Sequence, residues 1–183
     1  MKLIMQSMAV LFLLGCAASA LAQDSKPDVT KTFNRYISNV EREFVPAADA
    51  MPEDKYSFAP SNGEFKGVRT FAEQVKHVAA VNYVFGAGVL GEKPPVDVND
   101  EKGPDSLKTK ADIMKYLNDS FAYLHKALGT VTADNLVTPI QWGKNSTTRL
   151  QIALLAVGHP WDHYGQMVEY LRMNGIVPPA SRP

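Results

Sequence analysis

From residue 28 onward, four stretches with apolar side chains recurring at helical spacing are separated by three stretches broken by proline and glycine. In the first, Phe33, Ile37, Val40, Phe44, Ala47 and Met51 share one stripe, while Arg35, Asn39, Glu41 and Arg42 turn away. This predicts a helix over about 28–50, which Pro46 should kink or end by removing a backbone donor. The second begins at a capping box, Thr70 with Glu73, and carries Phe71, Val75, Val78, Asn82 and Phe85 to about Leu90. Asn82 lies on the apolar face, so its amide needs a hydrogen-bond partner. The third starts near Thr109, with Asp112 at the matching position, and places Ile113, Leu117, Phe121, Leu124 and Leu128 in line before Gly129 stops it. The fourth starts at Ser146 to Thr148, where Thr148 and Gln151 form another box, and runs to Asn174 and Gly175 ahead of Pro178 and Pro179.

Two connections, 52–68 and 91–108, are loops by composition; the third, 129–146, carries Val131, Leu136, Val137, Ile140 and Trp142 and should pack across one end of the helices. Four helices with few strand signals predict an all-α fold, a four-helix bundle with long connecting loops, in one domain over 23–183. Loops of that length argue against the simplest up-and-down hairpin topology.

Residues 1–22 form a different kind of segment. Lys2, the apolar run Met8 to Leu14 and the small residues ending at Ala22 read as a secretory signal peptide, which implies a periplasmic or secreted protein. Leu13-Leu14-Gly15-Cys16 also resembles a lipobox, and on that alternative the protein is a lipoprotein anchored to the membrane through Cys16. The whole chain has 183 residues, 45% hydrophobic and 21% charged, with 19 basic residues against 19 acidic ones. That balance excludes general disorder and offers no basic patch for nucleic acid, so no nucleic-acid partner is expected. With Cys16 as the single cysteine, a metal site would have to use His, Asp or Glu.

There are four histidines, His77, His125, His159 and His163. His159 and His163 lie four apart on the fourth helix, one turn from each other on the same face, where two imidazoles can chelate one ion. Bundles build metal sites from inward side chains on different helices, which makes His77, midway along the second helix, the candidate third ligand. The alternative is a pair of surface or interface histidines. The pair interrupts an otherwise apolar run, Leu154 to Gln166, where unpaired buried imidazoles would be costly. His125 reads as a core-edge or surface histidine.

The run His159-x-x-x-His163-Tyr164-Gly165-Gln166, followed by Tyr170-Leu171-Arg172 and Gly175-Ile176-Val177-Pro178-Pro179, resembles the DinB-like (YfiT-like) metal-binding four-helix bundles. The segment Met51 to Pro60, leading into Phe71-Ala72-Glu73-Gln74-Val75-Lys76-His77, is similar to that family's loop into its second helix. The resemblance implies that His77, His159 and His163 form a three-histidine divalent-metal site with water or substrate at the remaining positions. Two features depart from the family pattern. Pro160 should disturb the helix near Ala156, and the signal peptide sets the chain apart from members that use cytosolic low-molecular-weight thiols.

Three neutral imidazoles suit Zn, Ni, Fe, Mn or Co, and ligand type does not choose among them. Such a centre fits a metal-dependent hydrolase or transferase acting on a small-molecule substrate; the alternative is a non-catalytic metal-binding or stress-related envelope protein. Asp162, the nearest acid in sequence, is the candidate catalytic or supporting carboxylate, although a regular helix rotates it about 100° from His163. A second apolar stripe on the fourth helix, including Leu154, Val157, Trp161 and Tyr164, predicts cover by a loop or by a second subunit in a homodimer.

Overall fold

The computed structural model describes residues 28–183; the segment read as a signal peptide, with Cys16, lies outside the described residues. The four predicted helices are present: α1 Val29–Ala50, α2 Phe71–Leu90, α3 Lys110–Leu128 and α4 Arg149–Met173. Each start is capped by the residue the sequence offers. Asp28 accepts from the backbone of Lys31 and Thr109 from Asp112, while Thr70/Glu73 and Thr148/Gln151 close complete capping boxes. The predicted apolar stripes of α1, α2 and α3 are all buried.

Neither proline ends its helix. Helix α1 continues past Pro46 to Ala50, and α4 passes through Pro160 without a break. An interior proline costs about 3 kcal/mol, whereas each large apolar side chain buried contributes about 1.5–3 kcal/mol. In α4, Ile152 precedes Pro160 and Met167 and Leu171 follow it in the core, enough to outweigh the proline; Ile37, Val40 and Phe44 before Pro46 and Met51 after it are buried in the same way.

Helix α1 packs against α3 and α4, and α2 packs against the same pair, so α1 and α2 face each other across a diagonal, as do α3 and α4. The first and third connections must therefore cross the bundle, which accounts for their length. The first is fixed to the start of α2, where Phe71 and Ala72 donate their backbone N–H groups to the carbonyls of Phe58 and Tyr56. The third contains a two-stranded antiparallel hairpin that the sequence pattern does not predict, β1 Pro139–Trp142 and β2 Asn145–Thr148. Gly143, at φ +60°, opens its two-residue turn. Trp142 lies against Phe85 and fills the space beside Gly88, where an added Cβ would come within 2.9 Å of the indole nitrogen.

Asn82 has no exposed surface and finds its partner in Ser120 of α3: the amide Nδ2 donates to Oγ at 3.2 Å, and Oγ donates to the Leu117 carbonyl. Removing one member strands the other, whereas removing both does not. Ser120→Ala is expected to lower stability by about 1–3 kcal/mol, and Asn82→Leu with Ser120→Ala by less than Ser120→Ala alone, as measured by urea unfolding.

Candidate metal centre

The middle of α2 faces the middle of α4, and the three histidines meet there. His77 from α2 and His159 and His163 from α4 each present one ring nitrogen, and these three atoms lie within 4.8 Å of one another. The ring centroids are 4.6–5.0 Å apart. His77 and His163 are buried and His159 is half-buried.

Each of two rings is held by its outer nitrogen. His77 Nδ1 lies 2.7 Å from the backbone carbonyl of Glu101, and an oxygen of that kind only accepts, so the proton sits on Nδ1 and the Nε2 lone pair is free. His163 Nδ1 lies 2.7 Å from Gln74 Oε1, with the same consequence. Gln74 is fixed in turn: its Nε2 donates to Gln166 Oε1 at 2.7 Å, and Gln166 Nε2 donates to Asp162 Oδ2 at 3.2 Å. His159 completes the group, with its Nε2 3.1 Å from His77 Nε2 and its Nδ1 buried without a partner. Three imidazoles with converging inner nitrogens, two of them oriented by oxygen acceptors so that the inner lone pair is free, form a donor set that fits a divalent transition-metal ion.

The Glu101 carbonyl is delivered by an uncommon backbone. Asn99, Asp100 and Glu101 have φ values of 43°, 52° and 64°, one left-handed turn of three non-glycine residues. Each costs about 1–2 kcal/mol relative to right-handed backbone, with Asn and Asp the more tolerant types. Local bonds hold the turn: Lys102 N–H donates to the Asn99 carbonyl, Gly103 N–H to the Val98 carbonyl, and the Asn99 side chain to the Gly103 carbonyl.

Burial pulls all three imidazoles below their ordinary pKa. His159 is brought to about 3, first by desolvation and then by His163, His77 and Arg69. His163 is brought to about 4 by desolvation and His77, with Asp162 opposing. His77 is lowered by desolvation, against its bond to the Glu101 carbonyl. At neutral pH the cluster is uncharged, the state in which imidazole binds metal.

The sequence expectation of His77, His159 and His163 as one group thus matches the geometry, and Pro160 does not separate the pair. Asp162 is exposed and is joined to the cluster by hydrogen bonds through Gln166 and Gln74. Gln74, Gln166 and the Glu101 carbonyl escaped the sequence reading; Gln74 three residues before His77 and Gln166 three after His163 were the available signal. His125 stands apart, linking α3 to α1 through Asn34 and Glu41. On the second stripe of α4, Leu154 and Trp161 are exposed, whereas Val157 and Tyr164 pack against the core.

The lowered pKa values have a sign in stability. Below about 6.5 the unfolded histidines take up protons that the folded ones refuse. Their contribution is therefore complete above about 6.5 and lost as pH falls through about 4 for His163 and about 3 for His159. The urea midpoint of metal-free protein should fall from pH 7 to pH 4.5, and fall less in the His159→Gln/His163→Gln variant.

Comparison with known proteins agrees with this architecture. A family profile described as the DinB superfamily matches residues 36–167. A DinB-like protein from Bacillus cereus superposes with a TM-score of 0.66 at 17% identity, over 81% of this chain and 95% of that one. A DinB-like protein from Bacillus subtilis gives 0.60 at 17% identity, over 79% and 92%. No curated protein matches the chain. With the family profile spanning most of its length, including all three histidines, the chain belongs to the DinB superfamily.

Proposed function

We propose that this is an exported divalent-metal protein whose His77, His159 and His163 centre catalyses hydrolysis or group transfer on a small molecule. One observation carries the reading: the outer nitrogens of His77 and His163 are bonded to oxygens, which leaves their free lone pairs converging with His159. A purely structural cluster has no need to turn two unprotonated nitrogens and a third imidazole towards one point in a desolvated place.

A divalent ion held there supplies Lewis acidity and can lower the pKa of bound water towards about 7. The protein's own groups orient the ligands. Asp162 anchors Gln166, Gln166 anchors Gln74, and Gln74 fixes the tautomer and ring angle of His163, which makes Asp162 a positioning residue on this reading. The signal-peptide pattern of residues 1–22 supports a site that works outside the cytoplasm.

Protein purified without an affinity tag is expected to carry about one transition-metal ion per chain by elemental analysis, and the His159→Ala/His163→Ala variant almost none; equal content in the two would sink the proposal. Gln74→Leu should retain the fold but weaken zinc binding by about 10–100-fold, as measured by competition with a chelator, because His163 loses its acceptor.

A further inference from the structure

An open cleft of about 420 Å3 is walled by residues 67–69, by Glu73 and Lys76 on α2, and by Lys102 and Asp105 from the following loop. Its walls and the metal centre share backbone. Lys76 immediately precedes His77, and Lys102 immediately follows Glu101, whose carbonyl holds the His77 ring. Loop and helix are pressed together here: a Cβ on Gly103 would stand 2.9 Å from Lys76 Cβ and 3.1 Å from the Lys76 carbonyl oxygen. The Arg69 backbone is tied to α4, where its carbonyl accepts from Tyr170 Oη at 3.0 Å.

The charges in this cleft are unevenly engaged. Glu73 is committed to its capping box, accepting from Thr70 N at 2.7 Å and Thr70 Oγ1 at 3.0 Å, and Asp105 accepts from Asn99 Nδ2 at 3.3 Å. The three cations are left over. Among the described residues, none of Arg69, Lys76 and Lys102 forms an ion pair, and Lys76 Nζ makes one long bond of 3.4 Å to the Pro104 carbonyl. The nearby carboxylates of Glu101 and Asp162 belong to exposed residues on the histidine side, and Asp162 is already bonded to Gln166. Arg69 lines the cleft, and its positive charge also helps to lower the pKa of all three imidazoles. A dication on three neutral ligands keeps its full charge, so the natural complement to centre and cleft together is an anion.

We propose that this cleft is a subsite for the anionic end of a small-molecule substrate, a carboxylate or phosphate group, with Arg69 as the principal recognition side chain and Lys76 and Lys102 flanking it. The inference rests on the metal-centre reading only for what the other end of the substrate reaches. Arg69 suits the role because its planar fork pairs two oxygens at once, whereas the lysines act as point charges that add attraction without fixing orientation.

The test is calorimetric titration of inorganic phosphate, and separately of succinate, into the protein at constant ionic strength, with and without bound zinc. Saturable one-site binding is expected for at least one of the two anions, and the preferred anion identifies the head group. Arg69→Ala should weaken it by about tenfold or more, Lys102→Ala by less, and Lys115→Ala, an exposed α3 lysine paired with Asp119, should leave it unchanged. Absence of saturable binding by both anions, or an Arg69→Ala affinity within about twofold of the parent, would overturn the subsite. Zinc content of the same samples separates the two readings. Anion binding lost with zinc retained condemns the subsite alone, and anion binding that persists in protein unable to take zinc condemns the metal centre alone.

Discussion

The interaction on which the rest depends is the meeting of three uncharged imidazoles in a place that water largely leaves. Imidazole nitrogens removed from water are costly without partners, and a cluster of them repels its own protonation. Hydrogen bonds at the outer nitrogens offset part of that cost at His77 and His163, while His159 keeps one buried nitrogen unmatched. The geometry is therefore maintained by the bundle, through α2 and α4 packed side by side, and not by the histidines themselves.

The diagonal arrangement of helices serves this site. Because consecutive helices α1 and α2 do not pack as a hairpin, the first connection runs across the bundle and ends in the capped start of α2, carrying Arg69 to the cleft on the way. The connection from α2 to α3 folds back over α2 and brings the left-handed turn at Asn99–Glu101 against His77. Strain held in a loop that touches a functional group is a common arrangement, and here the strained carbonyl sets which nitrogen of His77 is free.

Much of this was legible in the sequence, and the remainder shows where linear patterns stop. Helix starts followed from local chemistry at Thr70, Thr109 and Thr148, and the i, i+4 spacing of His159 and His163 survived folding. Gln74 and the Glu101 carbonyl were not legible, because their partners are set by the packing of α2 against α4 and of a loop against α2. That the helices run on past Pro46 and Pro160 has a related reason: local rules count the lost hydrogen bond but not the side chains on either side of it that the core retains. The hairpin at Pro139–Thr148 was missed because its strands are short and largely polar, although the Gly143-Lys144 turn is a recognised signal.

The central claim is that His77, His159 and His163 bind one metal ion together. X-ray absorption at the zinc edge of zinc-loaded protein tests it most directly, since imidazole rings leave a distinct multiple-scattering pattern. The account predicts three imidazole ligands, reduced to two in His77→Ala; a shell of oxygen donors alone, or one unchanged by His77→Ala, would contradict it.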